Sequence, residues 1–209
     1  MIQLTDKNIG GTAMEKLLFI NACVRGPEIS RTYRLCRVFL DEYAAIRPGI
    51  APEEVDLTKE LLPCYDGAAV NRREKMIDDS KTDDAIFRYA NQFALADKIV
   101  VGAPYWDLSF PAVLKAYVEN ICVRNVTFCN TPTGVAGLCR AEKLVYITTV
   151  GGYAGKFDLG TEYFKGICDM LGIKQFESIC AEGLDIETND PLRIMETAEK
   201  EASLAARQF

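Results

Sequence analysis

KIVVGAPYWDLSFP, residues 98–111, joins an apolar run to a pair of aromatic rings and a helix start. Ile99, Val100 and Val101 are apolar in unbroken succession, so both faces of this segment seek burial. Gly102, Ala103 and Pro104 end the run, and two rings, Tyr105 and Trp106, follow at once. Ser109 and Pro111 then signal a helix, expected to run to about Val123. A buried strand that empties into a loop and then a helix is the unit of a parallel sheet covered on both faces.

The same unit recurs on either side. KLLFINAC (16–23) reads as a fully buried strand, followed by a helix that Ser30 can cap. Cys36, Phe39, Leu40 and Tyr43 share one face of that helix, and Pro48-Gly49 ends it. EVDL (54–57) is a short strand, and residues 58–80 read as a long polar connection. Residues 83–96 are amphipathic, with Ile86, Tyr89, Ala90 and Phe93 along one stripe. The segment from Phe128 to Leu138 is turn-rich. KLVYITTV (143–150) is a fourth buried strand that runs into Gly151-Gly152. A helix over 160–171, a strand over 175–180 and a helix over 191–208 complete the series. Five strands alternating with five helices predict one α/β domain over residues 14–209. Its core is a doubly wound sheet of five parallel strands with helices on both faces. Residues 1–13 lack a period and contain Gly10-Gly11, which predicts a flexible N-terminal extension.

Composition narrows the function. The chain has 209 residues, 49% hydrophobic and 26% charged, enough for one soluble domain with a sizeable core. Its apolar runs fall short of the roughly 20 residues that span a bilayer. The apolar stretch 17–24 is followed by Arg25-Gly26-Pro27 rather than by a cleavage site, which favours a buried strand and a cytoplasmic protein. A net charge of −6, with no basic run longer than Arg72-Arg73, argues against nucleic-acid binding. Eight scattered cysteines without a C-x-x-C pair are expected as reduced, mostly buried thiols. Histidine is absent, which excludes histidine-based triads and H-E-x-x-H zinc sites; no metal site is expected. Chemistry is left to carboxylates, thiols, hydroxyls or a cofactor with its own reactive atoms.

In a doubly wound sheet, ligands bind outside the carboxyl ends of the strands. Three such ends carry unusual residues. The first, CVRGPEISRT (23–32), lacks both G-x-G-x-x-G and the P-loop pattern but sets Ser30 and Thr32 at a helix N-terminus beside Arg25, a setting that favours phosphate. The alternative is that Ser30 only caps the helix and Arg25 is a solvated charge. The second, APYWDLSFP (103–111), offers Tyr105 and Trp106 to a flat ligand; alternatively both rings pack inward while Asp107 or Ser109 caps the next helix. The third, TTVGGY (148–153), has glycines that let backbone amides approach a ligand, as a simple turn also would.

With these residues in place, the chain from Met14 onward resembles the FMN-dependent NADH azoreductases and quinone reductases of flavodoxin-like fold. The Arg25–Thr32 loop matches the family's loop ending in S-x-S, and Asp56-Leu57, Leu62-Pro63 and Asp66-Gly67 follow in order. The most specific block, A-P-M-Y-N-F followed by proline and L-K, reads here from Ala103 to Lys115. Val126-Thr-Phe, Gly134-Val-Ala-Gly-Leu138, Thr149-Val-Gly-Gly-Tyr153 and Ala181-Glu-Gly183 complete the match.

The resemblance implies a bound FMN, with NADH or NADPH as co-substrate. Its phosphate would sit on Ser30 and Thr32 near Arg25. Its ring would lie between the loop of Pro104, Tyr105, Trp106, Asp107 and Leu108 and the turn of Thr149, Val150, Gly151 and Gly152. No protein residue is then catalytic, since flavin N5 carries two electrons in a ping-pong cycle to a quinone, azo or nitroaromatic acceptor. A homodimer is also implied. The family's Met-Tyr-Asn-Phe loop is Tyr105, Trp106, Asp107 and Leu108 here, its Ser-Arg is Thr149-Val150, and its aromatic after V-T-F-x is Asn130. Trp106, Leu108 and Asn130 would thus remodel the acceptor pocket while backbone contacts to the flavin persist. An Asp107 carboxylate near the ring would repel the reduced, anionic cofactor and lower its potential. Two rival readings stand beside this one: a flavodoxin-like electron carrier without its own acceptor site, and a thiol sensor using Cys23 beside Arg25.

Overall fold

The computed structural model describes residues 14–209; the extension expected over residues 1–13 lies outside them. The apolar runs form β1 (Leu17–Asn21), β2 (Glu53–Asp56), β3 (Lys98–Gly102), β6 (Lys143–Thr149) and β7 (Gln175–Ala181). They pair in the order β2-β1-β3-β6-β7, parallel throughout. The remaining two strands, β4 (Phe128–Thr131) and β5 (Gly134–Gly137), make a separate antiparallel hairpin. The helices are α1 (Arg31–Ile46), α2 (Gly67–Asp78), α3 (Arg88–Leu95), α4 (Ala112–Ile121), α5 (Leu159–Leu171) and α6 (Pro191–Arg207). No helix among the described residues is long and apolar enough to cross a membrane.

Period-two alternation sorts the sheet residues into two cores. Leu17, Phe19, Val100, Val145 and Ile147 face α1 and α6, where Leu35, Phe39, Tyr43, Ala198 and Ala202 meet them. Leu18, Ile20, Ile99, Val101, Leu144 and Tyr146 face α3, α4 and α5, against Phe93, Leu114, Tyr117 and Phe164. Each fully buried large side chain contributes about 1.5–3 kcal/mol by leaving water. The expected doubly wound sheet of five parallel strands is what these two layers enclose.

The structure departs from the sequence reading in three elements. The polar connection over 58–80 contains α2, which Asp66 caps by accepting from the Ala69 amide. It buries only Ile77 of its own residues, so its apolar stripe is too thin to read from periodicity. The helix over 83–96 begins as a 3-10 turn at Ala85–Phe87. With three residues per turn the stripe shifts phase, so Phe87 is buried and Ile86 is exposed. The turn-rich segment is the β4–β5 hairpin, closed over Pro132-Thr133 with Gly134 at φ 145°. Gly137 fits there because a Cβ would strike the backbone of Leu171 and Gly172 at the end of α5.

The chain departs from β1 to opposite sides, to β2 on one and β3 on the other. That reversal opens a crevice beyond the carboxyl ends of β1 and β3.

Candidate functional site

Four loops meet at the carboxyl edge of the sheet, and three of them carry the residues singled out above. One cleft is bordered by Arg25, Ser30 and Thr32 after β1, Pro104, Tyr105 and Trp106 after β3, and Thr149 and Gly151 at the end of β6. Its volume is about 120 Å³. A larger groove of about 630 Å³ lies between β7 and α6, but it gathers none of these residues.

One end of the cleft is built by α1. Ser30 is its N-cap, and Oγ accepts from the Tyr33 amide at 3.1 Å. Capping consumes a lone pair and leaves the Ser30 O–H free, so the cap and the anion ligand are compatible roles for one hydroxyl. The first-turn amides of Arg31 and Thr32 have no partner within the helix, as expected at its positive end. Thr32 Oγ1 lies 2.6 Å from Thr149 Oγ1, joining α1 to the end of β6 in a buried pair. That bond uses one of the two hydroxyl protons; the other remains for an acceptor in the cleft.

The other end is built by two turns. Trp106 and Ser109 exchange backbone bonds of 3.1 and 2.8 Å around Asp107 and Leu108, which stand at φ 50° and 68°. Two consecutive positive φ values define a type I′ geometry that ordinarily selects Asn and Gly. Leucine there is strained by roughly 1 kcal/mol. The N-cap of α4 is Pro111 and takes no side-chain hydrogen bond, so neither Asp107 nor Ser109 caps that helix. Asp107 is exposed in the turn instead, between Trp106 and Leu108, which are 45% and 47% exposed. The outward position of Trp106 answers the alternative in which both rings pack inward. Tyr105 is half-buried, and its hydroxyl donates to Phe157 O at 3.2 Å. Burial, with Asp158 and Glu182 nearby, pushes that phenol up and keeps its proton in place.

The opposite turn is laced to the loop after β7. Gly183 N bonds Gly152 O at 2.6 Å, Asp185 N bonds Gly151 O at 2.7 Å, and Leu184 N bonds Val150 O at 3.2 Å. Val150 is buried, and of this turn Thr149 and Gly151 border the cleft. Asn130 lies elsewhere: it is exposed on β4, in the hairpin that Gly137 seats against the far end of α5. Of the three residues expected to shape the acceptor pocket, Trp106 borders the cleft, Leu108 stands exposed two residues along the same turn, and Asn130 lies on the hairpin.

Sequence reasoning missed two residues that border the cleft, Arg31 and Asp185. Arg31 stood in plain view between Ser30 and Thr32. Asp185 follows the Ala181-Glu-Gly183 strand end by two residues, and only tertiary contact reveals it.

The contents of the cleft fit FMN. Hydroxyls, helix-end amides and Arg25 suit a phosphate, and a flat ring has exposed aromatic and backbone surfaces beside it. The comparisons with known proteins agree. Residues 15–204 match the family described as flavodoxin-like fold. An FMN-dependent NADH:quinone oxidoreductase of Clostridium acetobutylicum is 36% identical over 201 residues, covering 94% of this chain and all of the relative. One from Caldicellulosiruptor bescii is also 36% identical, with the same coverage. An azoreductase from Bacillus anthracis superposes with a TM-score of 0.86 at 29% identity, over 94% of this chain and 100% of that one. Another B. anthracis protein, an FMN-dependent NADH-azoreductase crystallised with FMN, has a TM-score of 0.83 over 93% and 99% of the two chains; at 24% identity it shows the fold. This chain belongs to the flavodoxin-like family of FMN-dependent NADH:quinone oxidoreductases and azoreductases.

Proposed function

We propose that this protein is an FMN-dependent NAD(P)H oxidoreductase that reduces quinone, azo or nitroaromatic acceptors by two electrons in a ping-pong cycle. The observation that carries this reading is the union, in one switch-point cleft, of an anion cradle at α1 with an aromatic rim at Trp106. Bound FMN supplies the hydride chemistry between a nicotinamide donor, NADH or NADPH, and the acceptor.

The chain's own residues bind and orient. Ser30, Thr32 and Arg25 hold the phosphate. Pro104, Tyr105, Trp106, Asp107 and Leu108 flank one side of the ring, and Thr149, Val150, Gly151 and Gly152 the other, largely through backbone atoms. The lacing of Gly151 and Gly152 to Gly183–Asp185 holds the second turn rigid before any ligand arrives. Trp106 and Leu108 give the acceptor an apolar platform. One open rim serving donor and acceptor in turn is what favours ping-pong order over a ternary complex. No histidine is required, since no residue needs to move a proton near neutral pH for hydride to pass.

A second copy completes the reading as a homodimer. Trp106, Leu108, Phe157 and Leu159 are exposed apolar side chains joined locally by the bonds Leu159 N to Leu108 O and Tyr105 to Phe157 O. Such a patch seeks cover. A cytoplasmic location accords with eight free thiols. Initial rates with NADH and a benzoquinone, varied together, test the mechanism: parallel double-reciprocal lines are expected, and intersecting lines would overturn the ping-pong order.

A further inference from the structure

We infer that Arg31 is a ligand of the cofactor's phosphate and that Asp185 competes with that phosphate for it, so that this pair sets cofactor affinity by charge. The inference rests on FMN as the cofactor of the cleft.

Arg31 opens α1 between the two hydroxyl residues of the phosphate loop. Its guanidinium crosses to the loop after β7, donating to Leu184 O at 3.1 Å and to Asp185 Oδ1 at 2.7 Å. Both side chains border the cleft that also holds Arg25, Ser30 and Thr32. The Asp185 carboxylate rests over Gly151, where any Cβ would collide with Oδ2. A negative group is thus seated on the wall that an anionic ligand must face.

The side chains of the pair are 36% and 65% exposed, so water already weakens it. A phosphomonoester carries close to two negative charges at neutral pH and offers oxygens matched to the guanidinium fork. Arg31 has five donors, so it can keep Leu184 O while exchanging Asp185 for phosphate. Once Arg31 turns, Asp185 stands uncompensated beside the bound anion. The two residues therefore act with opposite sign: loss of Arg31 weakens phosphate binding, and loss of the Asp185 charge strengthens it. A purely structural strut between α1 and the β7 loop would weaken binding whichever end was removed.

Flavin fluorescence titrations with FMN and with riboflavin, which lacks the phosphate, separate these cases. In Arg31→Gln the FMN Kd is expected to rise about tenfold, the worth of one charge-assisted hydrogen bond. In Asp185→Asn it is expected to fall about threefold. Riboflavin affinity should stay within about twofold of wild type in both, and Arg31→Lys should retain part of the FMN preference. Weaker FMN binding in Asp185→Asn, or equal changes for FMN and riboflavin in either variant, would overturn the assignment and make the pair a strut. If the wild-type protein bound neither flavin, the cofactor reading itself would fall, and this inference with it.

Discussion

The Thr32–Thr149 hydroxyl pair ties the start of α1 to the end of β6 at the wall of the cleft. Both groups are buried, so Thr32→Val strands the Thr149 hydroxyl without a partner. The expected cost is about 1–2 kcal/mol in urea denaturation, together with weaker FMN binding. Leu108 makes the opposite case. At φ 68° a leucine is strained, so Leu108→Gly should raise stability by roughly 0.5–1 kcal/mol while lowering acceptor turnover. A fall in stability would show that its apolar surface outweighs its backbone strain. Asp107 is free of helix-capping duty, so Asp107→Asn should raise the FMN midpoint potential, on the order of 10–30 mV. An unchanged potential would remove the electrostatic role. Ser30, Thr32, Trp106 and Gly151 were legible because composition at a strand end is a local signal. Asp185 was not, because its place over Gly151 is made by the β6–β7 pairing rather than by any spacing in sequence.

At the scale of elements, the buried strands were the most readable parts, since β1, β3 and β6 are apolar on both faces and nothing else explains such runs. The elements that escaped notice are those with little burial of their own. The α2 helix rests on Ile77 and a cap, and β4 and β5 are four residues each with mostly exposed or half-buried side chains. The hairpin nevertheless has one unforgiving contact. Gly137→Ala drives a methyl group into the backbone at Leu171–Gly172, which cannot rotate away. We expect a loss of about 2–4 kcal/mol, read as a lower Tm, with FMN affinity affected little because the cleft lies at the other end of the sheet.

Across the whole molecule, two apolar cores hold a sheet whose carboxyl edge is left for chemistry. The thiols report on the integrity of those cores. Burial pushes Cys122 up to about 11, and Cys139, Cys168 and Cys180 up to about 12. An unfolded thiol titrates near 8.5, so in each case the folded pKa is the higher one. Stability from these groups is complete below about pH 8.5 and is lost as pH rises through the folded values near 11–12. Denaturation midpoints should therefore hold between pH 6 and 8 and fall progressively above about pH 9. Iodoacetamide at pH 8 should label exposed Cys64 well before those four.

A flavin held in the switch-point cleft must be one that NADH can reduce. The visible spectrum of the protein reconstituted with FMN, recorded before and after NADH without oxygen, tests it most directly. A yellow protein whose visible absorbance bleaches promptly and returns when a quinone is added is expected. A protein that takes up no FMN, or one whose colour persists in excess NADH, would contradict it.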